Sequence, residues 1–446
     1  MRELEREREK EYWAERERTL AEEGDEKPSR KAFREEKSKE GRQRWRRGLI
    51  FIVLLALLAA YLFLTYTPSG NRLLAQVTDL TPQGEEEQAT YEEPEVGEEE
   101  AQEAGEDGAA GEQPAEEEEP ENVYAATMTS EVKESLAGLP ERVYVPNVVD
   151  NSITVIDPAT FEIVDSYKVE QLPYHVTPSW DMSQLLVNNE ESSTFTVIDP
   201  ETGRPSDTIS APFPYNFYYT PDGETAIVVV ERLQMLEFRD AETWEMLGST
   251  YIPWPGVDHL DFSKDGDYFL ASSEWSGVVS KVDVEKMELV DYVEVGALPI
   301  DIKLSPDGEV FYVADQGSMG VHVIEPEAME EIDFIPTGEG AHGLQISRDT
   351  KSLYVSNRLE GTVSVIDFET REVTDKWVTG GTPDMFQLSP DGRQLWVSGR
   401  YDGAVYVIDT ESGELLSTIY TGAQPHGIAY FPNPGRFSLG HNGVYR

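Results

Sequence analysis

The sequence predicts an all-β fold, a seven-bladed β-propeller, on three observations. A motif with a shared Asp recurs at Asp181, Asp222, Asp265, Asp307, Asp349 and Asp391, in steps of 41 to 43 residues, and a fixed period in that range marks repeat architecture. Each period holds four short strand patterns separated by turn residues, with no helical stretch, which is the content of one propeller blade. The two ends of the repeat region are complementary: it opens on a second-strand pattern, "RVYVPN" (Arg142–Asn147), and finishes on a first-strand pattern, "PHGIAYFPN" (Pro425–Asn433). Three N-terminal strands and one C-terminal strand therefore complete a single blade and close the ring, which removes exposed sheet edges.

Within a period the order of elements is constant. A short apolar run precedes S-P-D-G or a relative of it, a turn with Pro second and Gly fourth. An alternating run such as "LYVSN" (Leu353–Asn357) follows, then "TVSVID" (Thr362–Asp367), a D-x-E-T-like turn, and a fourth run such as "VTDKWVTG" (Val373–Gly380). The aspartates of S-P-D-G and of V-I-D recur in nearly every blade and are assigned to turn chemistry.

Ahead of the repeats, composition divides the chain. Residues 1–48 carry 16 Lys+Arg against 14 Asp+Glu, with Glu and Arg spaced for pairing along a solvated helix. Leu49–Tyr66 is 18 residues without a charge, enough at about 1.5 Å per residue to come close to the roughly 30 Å of a bilayer core. Arg42, Arg44, Arg46 and Arg47 stand just before it and Arg72 alone follows it closely, so the positive-inside rule predicts a single-pass signal anchor with a cytoplasmic N-terminus. Residues 67–122 form an acidic low-complexity linker with 18 acids and no base between Glu85 and Glu121, a composition that stays extended and unfolded. Residues 123–141 lead into the propeller at 142–433, and 434–446 form a C-terminal tail.

Of the 36 Lys+Arg and 86 Asp+Glu, 20 and 72 lie beyond residue 48, so that part sums to −52, which argues against a nucleic-acid partner. Cysteine is absent, which excludes disulfides and thiolate chemistry. No G-x-S-x-G elbow, phosphate loop or dinucleotide fingerprint is present.

"FYVAD" (Phe311–Asp315), "LYVSN" (Leu353–Asn357), "GTVSVID" (Gly361–Asp367), the S-P-D-G turns and "PHGIA" (Pro425–Ala429) resemble the YVTN-repeat seven-bladed β-propellers, a family of bacterial and archaeal, often exported or cell-surface, proteins. The resemblance covers Arg142 to about Asn433. It implies the fold; for function it leaves open binding proteins, lactonase-like enzymes and domains associated with metal or haem chemistry.

In a propeller the first strands line a central channel, and the residues seven positions before the repeated Asp fall at one level of its mouth. They are Tyr174, Tyr215, Asp258, Ile300, His342, Asp384 and His426. His342, Asp384 and His426 occupy neighbouring blades and have the ligand types for a divalent transition metal; the alternative is a polar channel lining with no cofactor. On the metal reading, replacing His342 or His426 by Ala lowers bound metal. A second column after the second strand contains Arg358 and Arg400, suited to a carboxylate or phosphate or to pairing with local acids. Tyr174, Tyr215, Trp254 and Trp275 are candidates for stacking on a sugar or peptide, or for packing between blades. The expected function is a ligand- or protein-binding module working through its top face outside the cell, with a cell-surface protein, peptide or glycan as partner. The alternative is a metal-assisted hydrolase or lactonase-like enzyme at the channel mouth.

Overall fold

The computed structural model describes residues 122–441 and 444–446. They fold as seven four-stranded antiparallel sheets. Blade 1 has the order β28-β1-β2-β3, made of β28 (Ala429–Phe431), β1 (Arg142–Asn147), β2 (Ser152–Asp157) and β3 (Glu162–Lys168). Blades 2 to 7 are consecutive, with innermost strands β4 (Pro173–Pro178), β8 (Asn216–Tyr219), β12 (Val257–Phe262), β16 (Pro299–Leu304), β20 (Ala341–Ile346) and β24 (Pro383–Leu388). The expected blade order and ring closure are therefore present. Among the described residues no helix is long and apolar enough to cross a membrane; the expected tail at 1–48, the span at 49–66 and all but the last residue of the linker at 67–122 lie outside them.

Burial explains why the strands of one blade differ in composition. The six positions of β12, β16, β20 and β24 are all buried, whereas the outermost strand of blade 4, β15 (Glu288–Glu294), is largely exposed. Neighbouring blades share their cores: Tyr218 and Leu236 of blade 3 pack with Leu260, Phe262 and Phe269 of blade 4. Val143 and Val145 of blade 1 pack in the same way with Trp396, Val405 and Val407 of blade 7. The turn aspartates behave as expected. In Ser305–Gly308, the Asp307 carboxylate accepts from the Glu309 N–H at 3.1 Å, the Ser305 hydroxyl oxygen accepts from the Val310 N–H at 3.0 Å, and Gly308 takes φ +75°.

Ring closure rests on the pairs Arg142↔Phe431, Val143↔Tyr430 and Tyr144↔Ala429, extended by a bridge between Asn147 and Pro425. Beyond β28 the tail crosses the end of the channel that carries the S-P-D-G turns. Phe437 stacks on Trp180 at 5.4 Å, the Ser438 N–H donates to the Trp180 carbonyl, and the Tyr219 N–H donates to the Leu439 carbonyl. Arg446 then donates to the Asp261 carboxylate at 3.1 Å, and the lead-in segment places the Tyr124 ring 5.8 Å from the Arg446 guanidinium. The lower end of the channel is thus covered by the two segments that flank the propeller.

Truncation after Gln424 removes β28 and the tail together and leaves β1 as an open edge. The truncated chain is expected to lose a single cooperative thermal transition and to self-associate, as read by calorimetry and light scattering. A monomer melting at the wild-type temperature would contradict this account of closure.

Candidate functional site at the channel mouth

The innermost strands do not approach the channel as regular strands. In blades 2, 4, 5, 6 and 7 the ladder to the next strand shifts register between Pro173 and Val176, Val257 and Leu260, Pro299 and Ile302, Ala341 and Leu344, and Pro383 and Phe386. A β-bulge re-aims side chains and suspends strict alternation. Two consecutive residues per blade therefore sit in the bulge: Tyr174 and His175, Asp258 and His259, Ile300 and Asp301, His342 and Gly343, Asp384 and Met385.

The structure brings His342, Asp384 and His426 together, but around a guanidinium. Arg358 donates through Nε to Asp384 Oδ1 at 3.0 Å, through Nη2 to the same carboxylate, and also contacts His342 Nε2. Asp384 Oδ2 accepts from His426 Nδ1 at 2.6 Å, and His342 Nδ1 lies 3.1 Å from Asp384 Oδ1. All four side chains are buried. Burial alone would raise the Asp384 pKa, but Arg358 and the two imidazoles outweigh it and hold the carboxyl well below its usual range. Within the expected metal set, Arg358 already supplies the positive charge that a cation would bring to Asp384. Burial also pulls His426 down to about 4, so it is neutral at physiological pH, with Nε2 buried and unpartnered.

The remaining predicted residues divide. Tyr174 and Tyr215 meet at the mouth with ring centroids 5.1 Å apart, and Tyr174 lies 5.8 Å from His426. Arg400 covers Tyr174 at 5.5 Å and its buried Nη1 has no hydrogen-bond partner. Asp258 lies 2.8 Å from His259 Nδ1, an electrostatic contact rather than an aligned hydrogen bond. Trp254 goes to packing: its ring is 4.4 Å from Tyr292 on β15. Trp275 is exposed and donates its indole N–H to Glu231 Oε1 at 2.7 Å.

Sequence reasoning missed a second group, two members of which stand one residue after a mouth position and the third in the tail. His175, His259 and His441 are buried and converge in the channel, with ring centroids 3.8 Å apart for His175 and His441, 5.2 Å for His259 and His441, and 5.7 Å for His175 and His259. Gly427 makes the space. A Cβ there would lie 2.0 Å from the His175 ring and 2.8 Å from the His441 ring.

Seven ring-closed antiparallel blades around a polar, histidine-lined axis define a seven-bladed β-propeller. The chain belongs to the YNCE-like beta-propeller family, whose model matches residues 124–434, in agreement with the resemblance drawn from the repeat motifs. No curated protein matches it. Among solved structures it is similar to the hydrazine synthase of Kuenenia stuttgartiensis (20% identity, 60% of this chain and 92% of that one, TM-score 0.54). It is also similar to dihydro-heme d1 dehydrogenase NirN (16% identity, 68% and 78%, TM-score 0.53) and to a functionally unknown protein from Desulfotomaculum acetoxidans (16% identity, 66% and 99%, TM-score 0.56). At these identities the likeness is one of fold.

Two outcomes follow from the geometry. Gly427→Ala is expected to destabilise the propeller by about 1–3 kcal/mol through overpacking, measured by denaturant unfolding; an unchanged midpoint would show that the rings have room. Burial, then the nearby Asp258, raises the Glu231 pKa from 4.5 to about 7. A raised carboxyl stabilises the fold in its protonated form, so this contribution is lost as pH rises through about 7. The emission difference between wild type and Trp275→Phe should therefore titrate near pH 7, and Glu231→Gln should abolish that titration.

Proposed function

We propose that the protein is a membrane-anchored binding propeller, held outside the cytoplasm by Leu49–Tyr66 and the acidic spacer, which docks a partner protein through its upper face. One observation carries the reading. The residue following the Arg358/Arg400 column is Val149, Leu233, Trp275, Leu359 and Tyr401 in blades 1, 3, 4, 6 and 7. These side chains are 39 to 58% exposed, so the same loop position presents an apolar group around the ring. Exposed apolar groups repeated at one functional edge mark interaction surfaces, and Trp and Tyr are favoured interface anchors. The acidity beyond residue 48, −52 by sequence, suits a partner with a basic rim around an apolar centre.

The test places a photo-cross-linker at Leu359 or Tyr401, with Val378 on an outer strand (69% exposed) as control, in native membranes. A discrete adduct is expected from the crown positions only. Binding of the identified partner should weaken about tenfold or more in Trp275→Ala/Tyr401→Ala, without a change in melting temperature. Equal adducts at Val378, or indifference to the double substitution, would overturn the reading. Protease added to intact cells should cut the spacer between residues 85 and 121 and release the propeller; protection would place it inside.

A second reading, a lactonase-like hydrolase, is favoured by the Asp384–His426 pair, in which a carboxylate orients an imidazole whose neutral Nε2 is unpartnered. Lactone turnover lost in His426→Ala would support it.

A further inference from the structure

We propose that His175, His259 and His441 form a metal centre in the channel, binding a divalent transition ion that favours imidazole, such as Zn²⁺ or Cu²⁺. One ligand nitrogen from each histidine lies within 4.8 Å of the other two, and all three residues are buried. In a tetrahedral site with metal–nitrogen bonds of about 2.0–2.1 Å the nitrogens stand about 3.4 Å apart, so small ring rotations close the set.

The nitrogens are prepared as ligands. His175 Nδ1 lies 3.0 Å from the Tyr215 carbonyl oxygen, the donation that fixes the tautomer and leaves Nε2 with a lone pair; that Nε2 has no partner. His259 Nδ1 lies 2.8 Å from the Asp258 carboxylate, whose negative charge favours a cation nearby, and its Nε2 is without a partner. Both ring nitrogens of His441 are buried and unpartnered. Left dry, each orphaned nitrogen is desolvated without a compensating hydrogen bond. With no cysteine in the chain, an all-imidazole set selects among Zn²⁺, Cu²⁺ and their neighbours. His426, whose Nε2 is also unpartnered, has its ring 4.8 Å from that of His175.

The site draws on three separate parts of the chain: β4, β12 and the tail. Metal binding would therefore pin the tail to blades 2 and 4. The proposal does not depend on the docking function of the upper face.

The test uses the full chain, purified without a tag, stripped with chelator and titrated with Zn²⁺ and, for its visible spectrum, Co²⁺. One saturable equivalent per chain is expected, with a Co²⁺ spectrum of low-coordinate nitrogen ligation. His441→Ala should lose stoichiometric binding, Asp258→Asn should weaken it about 10–100-fold, and His342→Ala should retain it. Should apo His441→Ala fail to fold by circular dichroism, Asp258→Asn and the Co²⁺ spectrum decide. Absence of saturable binding would mean that water alone fills the site and would overturn the proposal, as would wild-type affinity in folded His441→Ala or equal loss in His342→Ala.

Discussion

The three backbone pairs between Arg142–Tyr144 and Ala429–Phe431 are the contact on which the rest of the molecule depends. Seven blades packed side by side would leave β1 with unpaired N–H and C=O groups and an uncovered apolar flank; β28 satisfies both at once. The energetic weight falls less on the few hydrogen bonds than on the shared core they bring together, because Val143 and Val145 then meet Trp396, Val405 and Val407. The same short segment has further consequences. Just before β28 it delivers His426 and Gly427 to the axis, and just after β28 it leads the tail under the channel and brings His441 up to His175. Closure, plugging and the axial histidines are thus one structural event.

The bulges at the approaches of the innermost strands are the second constraint. A regular strand would show the channel only alternate residues. By holding two consecutive residues in each bulge, the blades build two adjacent groups of polar side chains. In one, the Asp384 carboxylate is engaged by Arg358 and His426. The other, around His441, keeps several nitrogens unpaired. The difference is chemical: the first group contains both a carboxylate and a guanidinium and so neutralises itself, while the three side chains that converge in the second are all imidazoles.

This also explains what could be read from the sequence. Repeat period, blade order, ring closure and turn aspartates were all legible, because each is a local pattern copied several times. The meeting of His342, Asp384 and His426 followed from the same register. The trio was not legible, since alternation places His175 and His259 away from the channel and only the bulge overturns that. His441 carried no periodic signal whatever, as the tail belongs to no blade. Trp254, a candidate for stacking or for packing in the sequence, lies against Tyr292, and only the fold decides between the two.

The charge pattern makes a final point about Arg358. A buried ion pair between Arg358 and Asp384 adds little net stability over an apolar pair of the same volume, because desolvation offsets the attraction; removing either partner alone is costly. Its worth lies in orientation. The Asp384 carboxylate, held ionised, engages Nδ1 of His426 and thereby determines which nitrogen of that ring is left with a lone pair. A neutral, oriented imidazole one ring away from three more is a feature that apolar packing would not produce.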